Sequence, residues 1–112
     1  MSQPPSATLE GWLQKQSMWV KEWRRRYFRL VGTTLHWSKT PGEPSHGSIY
    51  LRDCLTVKSA EERIGRPFSF ELSTRSSDVI LLVAESAREK DAWIGAISKA
   101  IVMSSGSFMR GG

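Results

Sequence analysis

Apolar and polar residues alternate along the first three quarters of the chain, and then the period changes. "TLEGWLQKQ" (8–16), "EWRRRYFRLV" (22–31) and "TLHWSK" (34–39) alternate with period two, which predicts strands with one face turned to a core. "SIYL" (48–51) and "CLTVK" (54–58) follow a Pro/Gly/Ser loop, "PGEPSHG" (41–47). A second loop, "SAEERIGRP" (59–67), leads into "FSFELST" (68–74) and the near-continuous apolar run "DVILLVAE" (78–85). Seven short strands divided by turn signals predict an antiparallel sandwich or barrel. From residue 85 the spacing becomes helical, with Trp93, Ala96, Ile97, Ala100 and Ile101 on one stripe of "ESAREKDAWIGAISKAIV" (85–102). Ser86 and Glu89 have the spacing of a capping box, so the helix starts just after Ser86. The expected fold class is mainly β with one C-terminal α-helix: a seven-stranded antiparallel curved barrel or sandwich, capped by the helix at an open corner. Residues 1–7 read as a flexible N-terminus, 8–103 as the single domain and 104–112 as a disordered tail.

Alternation also sorts the side chains by face. Leu9, Leu13 and Lys15 share a face of the first strand, Arg24, Arg26, Phe28 and Leu30 one of the second, and Leu35, Trp37 and Lys39 one of the third. Each face turns from apolar to basic along its length. The first two strands form a hairpin with its loop near 16–21, and the third returns antiparallel. The basic ends therefore meet, and Lys15, Arg24, Arg26 and Lys39 are expected to converge at one mouth in front of Leu13, Phe28, Leu30 and Leu35. Like charges gathered in this way repel unless an anion lies between them. A phosphate suits the set, because an Arg fork grips two oxygens at once and Lys adds a point charge.

Charge distribution strengthens this reading. Residues 1–40 hold seven Lys and Arg against two Glu, a net of +5, and residues 41–112 hold nine of each sign. The whole surplus sits in the first third, which favours an anionic partner. Beside the mouth, the hairpin loop carries Met18, Trp19 and Val20 between Lys15 and Lys21. An apolar tip flanked by cations has the make-up of an interfacial membrane anchor. Trp12 and Trp23 are expected on the outer face or under the helix, and Trp93 in the core.

The stretch "GWLQKQ…WRRRYF" at 11–28, the seven strands and the closing helix with Trp93 resemble a pleckstrin homology (PH) domain over residues 8–103. "DCLTVKSAEERIGRPFSFEL" (53–72) and "WIGAISKAIV" (93–102) are further similar to the small single-domain PH proteins of plants and protists. The resemblance implies a phosphoinositide-binding, membrane-recruiting module and an adaptor role, cytoplasmic and peripheral on the cytosolic face of an endosomal or plasma membrane. The family's strand 1 Lys and strand 2 basic-x-Arg signature falls on Lys15, Arg24 and Arg26, and its strand 3 positions fall on Trp37 and Lys39. Lys21 and His46, in the flanking loops, complete the expected headgroup contacts. One departure concerns 3-phosphorylated ligands, which go with two apolar residues soon after the strand 2 Arg; here Arg29 interrupts.

Other function classes find less support. His36 and His46 have no nucleophile or carboxylate at a motif spacing, and Cys54 falls in a strand, so neither catalysis nor a metal site is expected. No cofactor is implied. A single Cys permits no intrachain disulfide. Nucleic acid is disfavoured because the aromatics cluster at a loop tip rather than across a sheet face. A protein-docking module that uses the strand 5–6 loop or the helix face is the alternative to lipid binding. Among phosphoinositides, the near-neutral loop "PGEPSHG", with Glu43 and His46, predicts a mono- or bisphosphorylated headgroup over the trisphosphate. Arg75 would weaken that argument by reaching the site.

Overall fold

The computed structural model describes residues 6–16 and 21–110, without the side chains of 105–110. Seven strands run β1 Leu9–Gln16, β2 Arg24–Val31, β3 Thr34–Ser38, β4 Gly47–Tyr50, β5 Cys54–Ser59, β6 Ser69–Thr74 and β7 Val79–Val83. Helix α1 spans Glu61–Ile64 and helix α2 Ala87–Arg110. The strands form one antiparallel sheet in the order β4-β3-β2-β1-β7-β6-β5. Each predicted strand is present to within a residue or two at its ends.

The inner faces of the strands build the core. Leu13, Phe28, Leu30, Leu35, Phe70, Leu72 and Leu82 are buried completely or nearly so. Each such side chain contributes about 1.5–3 kcal/mol relative to exposure. Trp93 and Ile97 of α2 close over them, and the Trp93 ring meets Phe28 edge-on at 6.4 Å. Ser86 caps the helix as expected: the Glu89 backbone N–H donates to Ser86 Oγ at 3.1 Å, and α2 begins at Ala87.

The fold class is as expected, with the helix at an open corner, and two features of the connections and helix differ from the sequence-based expectation. The sheet is not closed into a barrel; β4 and β5 stand at its two ends. The 3-10 turn Leu51–Asp53 carries the chain from one edge to the other, and α2 packs on that turn and on β5, so its apolar stripe fills the corner where the edges would have met. The loop 59–67 contains α1, ended by Gly65 at φ 69°, a left-handed cap that favours glycine. The α2 helix also continues past the expected end at 102 to Arg110. No proline interrupts that stretch, and adding a residue to an existing helix needs no new nucleus.

Candidate functional site

The β1–β2 register sets Lys15 opposite Arg24 and Leu13 opposite Arg26. Leu13 and Phe28 anchor this face in the core, and the cations follow one rung further toward the hairpin end. Lys15 is half-buried. Its ammonium is held below the ordinary value of 10.5, by burial first and then by the charges of Arg26 and Arg24. The Nζ atom lies 5.0 Å from the Trp37 ring centroid, a cation–π contact. Among the described residues no carboxylate comes within ion-pair distance of Lys15. Arg24 pairs with the exposed Glu22 at 3.4 Å, and the Arg26 Nη1 donates to the Arg25 carbonyl at 2.8 Å.

Lys15 and Trp37 form one wall of an open pocket of about 480 Å3; Ile49, Asp53, Arg75 and Asp78 are among its other lining residues. The β6–β7 turn supplies the facing side. Ser77 adopts φ 72°, and the Asp78 N–H donates to Thr74 Oγ1 at 3.1 Å, which tightens the turn. Arg75 is held in place by its Nε donating to the Arg52 carbonyl at 3.0 Å and its backbone N–H to the Asp53 carbonyl at 2.8 Å. This wall thus carries one guanidinium and two carboxylates. Trp37 lies over Gly47, its partner in the β3–β4 ladder; a Cβ at Gly47 would sit 2.5 Å from the indole Cζ2.

The structure therefore groups Lys15, Arg24, Arg26 and Trp37. Lys39 lies in an exposed bend after β3. His46 is exposed and donates its backbone N–H to the Trp37 carbonyl at 2.7 Å; Lys21 is exposed and its carbonyl accepts from Gln16 Nε2 at 2.7 Å. Of the expected contacts, Lys15 and Trp37 line the pocket; Arg24, Arg26, Lys21, Lys39 and His46 do not. Met18, Trp19 and Val20 lie outside the described residues. Arg75 does reach the pocket. The two acidic lining residues, Asp53 and Asp78, were not foreseen; for Asp78 the turn residues of "TRSSDV" were the available signal, since a tight turn keeps its carboxylate near the turn, where Ser76 Oγ donates to it at 3.3 Å.

The outer face of the same two strands is organised differently. Trp12 meets Tyr27 edge-on at 5.4 Å, and Arg25 stacks over Trp12 at 4.0 Å while pairing with Glu85 at 3.4 Å. Tyr27 donates to Glu10 at 2.6 Å, and Glu10 also faces Arg29 at 3.9 Å. From the β5–β6 connection, Arg66 stacks over Trp23 at 4.4 Å and donates to Gln14 at 3.4 Å. Trp12 is thus an outer-face residue, and Trp93, at 2% exposure, is core.

The family model described as PH domain matches residues 7–102. The chain belongs to the PH domain family. Pleckstrin homology domain-containing protein 1 of Arabidopsis thaliana is 42% identical over 103 residues, which cover 87% of this chain and 70% of that protein. Pleckstrin-2 of Mus musculus is 35% identical over 82% of this chain but only 27% of its own length. Among solved structures, a solution structure of a PH domain superposes with a TM-score of 0.80 at 26% identity and covers 93% of each chain. The C-terminal PH domain of pleckstrin in complex with D-myo-Ins(1,2,3,4,5)P5 gives a TM-score of 0.72 at 33% identity, over 84% of this chain and 97% of that one. A PH domain is a non-catalytic module. No helix among the described residues is long and apolar enough to cross a membrane.

Proposed function

We propose that this PH domain binds a phosphoinositide headgroup at the Lys15–Arg24–Arg26 face and recruits the chain, as an adaptor, to the cytosolic face of an endosomal or plasma membrane. The observation that carries the reading is the half-buried Lys15, whose charge is disfavoured by its surroundings and which has no carboxylate partner among the described residues. A bound phosphate would turn that repulsion into attraction. The binding of an inositol pentakisphosphate by the related pleckstrin domain supports the same ligand chemistry. Met18, Trp19 and Val20 extend the proposal: they would enter the bilayer interface while the cations hold the headgroup. Trp37, Lys21, Lys39 and His46 remain candidate contacts, the last three through loop movement toward the ligand.

The facing wall bears on which headgroup is preferred. Arg75 supplies a cation there, but Asp53 and Asp78 line the same pocket, so the wall is net negative. A trisphosphate needs cations on both sides, whereas one or two phosphates can be held from the Lys15 side alone. The proposed preference is for a mono- or bisphosphorylated phosphoinositide, with phosphatidylinositol 3-phosphate one candidate. Sedimentation with vesicles of each phosphoinositide at fixed total charge tests both levels. A clear order led by the trisphosphate would overturn the preference, and affinity that follows charge alone would remove the stereospecific site. Changing Met18, Trp19 and Val20 to Ser should lower vesicle binding yet leave soluble headgroup affinity unchanged.

A further inference from the structure

Behind the lipid-facing side, between β1–β2 and the β5–β6 connection, lies a second pocket of about 370 Å3. Its chemistry is mixed. Arg25 and Arg66 supply the positive charge, while Trp12, Pro67, Phe68 and Ala84 supply apolar surface. Both guanidiniums lie over indoles, Arg25 over Trp12 at 4.0 Å and Arg66 over Trp23 at 4.4 Å, which restricts where they point. The connection that presents Arg66 is itself fixed. Phe68 has φ 62°, an uncommon conformation for a bulky residue, and its N–H donates to Glu61 Oε2 at 2.6 Å. The buried Lys90 of α2 holds that carboxylate at 3.1 Å and also donates to Ser59 Oγ at 2.7 Å. A positive φ at a bulky residue, held by an ion pair to a buried lysine, is the kind of backbone strain that clusters at working surfaces.

We infer that this outer pocket is a docking site for a short acidic segment of a partner protein, with a carboxylate taken by Arg25 and Arg66 and an adjacent apolar side chain set against Trp12, Pro67 and Phe68. The apolar part of the lining favours a peptide over a second lipid headgroup. An inositol phosphate has no apolar group to cover the wall. The one acid already seated in the pocket is Glu85, paired with Arg25. Glu85 then acts as an internal competitor that an incoming acid must displace. Because the pocket lies on the reverse of the rungs that carry Lys15 and Arg24, the partner and a membrane could be held together. This inference does not depend on the lipid reading.

The test is selection of a random twelve-residue peptide display library on the intact protein. The selected peptides are then titrated against Arg25→Gln, Arg66→Gln, Glu85→Gln and Arg24→Ala. Enriched peptides should pair an acidic residue with an apolar neighbour. Their affinity should fall at least tenfold with either outer Arg variant, rise a few-fold with Glu85→Gln, and stay within twofold for Arg24→Ala. Thermal melting of each variant confirms that it is folded, and Arg66→Lys, which keeps the charge but loses the planar stack, should bind as poorly as Arg66→Gln. The inference fails if no acidic–apolar motif is enriched, or if enriched peptides bind the outer Arg variants normally. It also fails if Arg25→Gln and Arg66→Gln reduce phosphoinositide vesicle binding as much as Arg24→Ala does, which would make the pocket a membrane contact.

Discussion

The two faces of the β1–β2 ribbon carry similar residues in opposite states. On the inner face, Lys15, Arg24 and Arg26 crowd one another, and among the described residues Lys15 has the Trp37 ring as its favourable contact and no carboxylate partner. On the outer face, one residue away in each strand, Arg25 is satisfied twice, by Trp12 and by Glu85. The consecutive arginines 24 to 26 alternate between these environments because a strand turns successive side chains to opposite sides. A count of basic residues does not separate the two roles, whereas the pairing of each cation does. Inner cations are poised to attract an anion, and outer ones already stabilise the sheet or hold a competitor in place.

The most severe way to break this comparison is to remove what supports both faces. Trp93→Ala should cost about 3–5 kcal/mol through lost packing and a cavity, enough to unfold a marginal small domain. A denaturant titration that finds native-like stability would mean the helix does not close the core. Next comes the inner face alone. Arg24→Ala combined with Arg26→Ala should weaken headgroup binding by roughly 1.5–3 kcal/mol per charge-assisted hydrogen bond lost, with the melting temperature little changed. Calorimetry with a soluble inositol phosphate checks this, and undiminished binding would rule the mouth out.

The outer face should give the reverse pattern. Arg25→Ala is expected to lower stability by about 0.5–1 kcal/mol, the scale of an exposed cation–π contact with a surface ion pair, and to leave soluble headgroup affinity unchanged. The smallest effect is the most diagnostic. Lys15 is charged more reluctantly in the fold than in the unfolded chain, so Lys15→Met should raise stability by roughly 0.5 kcal/mol, the usual scale near a surface, while it weakens headgroup binding. The sign with pH follows. Between the lowered folded value and the ordinary 10.5, the unfolded chain binds more protons, so the native protein gains stability as pH rises through that window. The Met variant should lack that component, as a melting series at alkaline pH would reveal.

Much of this arrangement is legible from period two alone. Alternation placed Leu13, Phe28, Leu30 and Leu35 in the core and grouped Lys15 with Arg24 and Arg26, because a strand leaves its side chains little choice of face. Trp12 was expected on the outer face or under the helix and lies on the outer face, although its meeting with Arg25 and Tyr27 there depends on register. The Arg66–Trp23 stack was out of reach: its partners are 43 positions apart and come together through the β5–β6 connection, whose helical turn and positive φ at Phe68 carry no periodic signal. Lys39 aligned with the mouth by parity, but the strand ends at Ser38, and beyond it the rule no longer applies. Asp53 and Asp78 entered the pocket by turns rather than by strands.

Gly47 has a consequence for how variants of this protein are interpreted. Its bare Cα is the seat on which the Trp37 indole lies, and any side chain there would lift the ring that Lys15 leans on. A systematic substitution screen scored by vesicle recruitment should therefore flag Gly47 almost as strongly as the arginines, though Gly47 itself has no charge or side chain to offer a headgroup. A Gly47→Ala protein should fold and melt cooperatively while it loses the proposed vesicle binding, a phenotype easily mistaken for a ligand contact. Paired with Trp37→Leu, whose smaller side chain leaves room for the added methyl, the two changes together should do less harm than their separate effects would sum to.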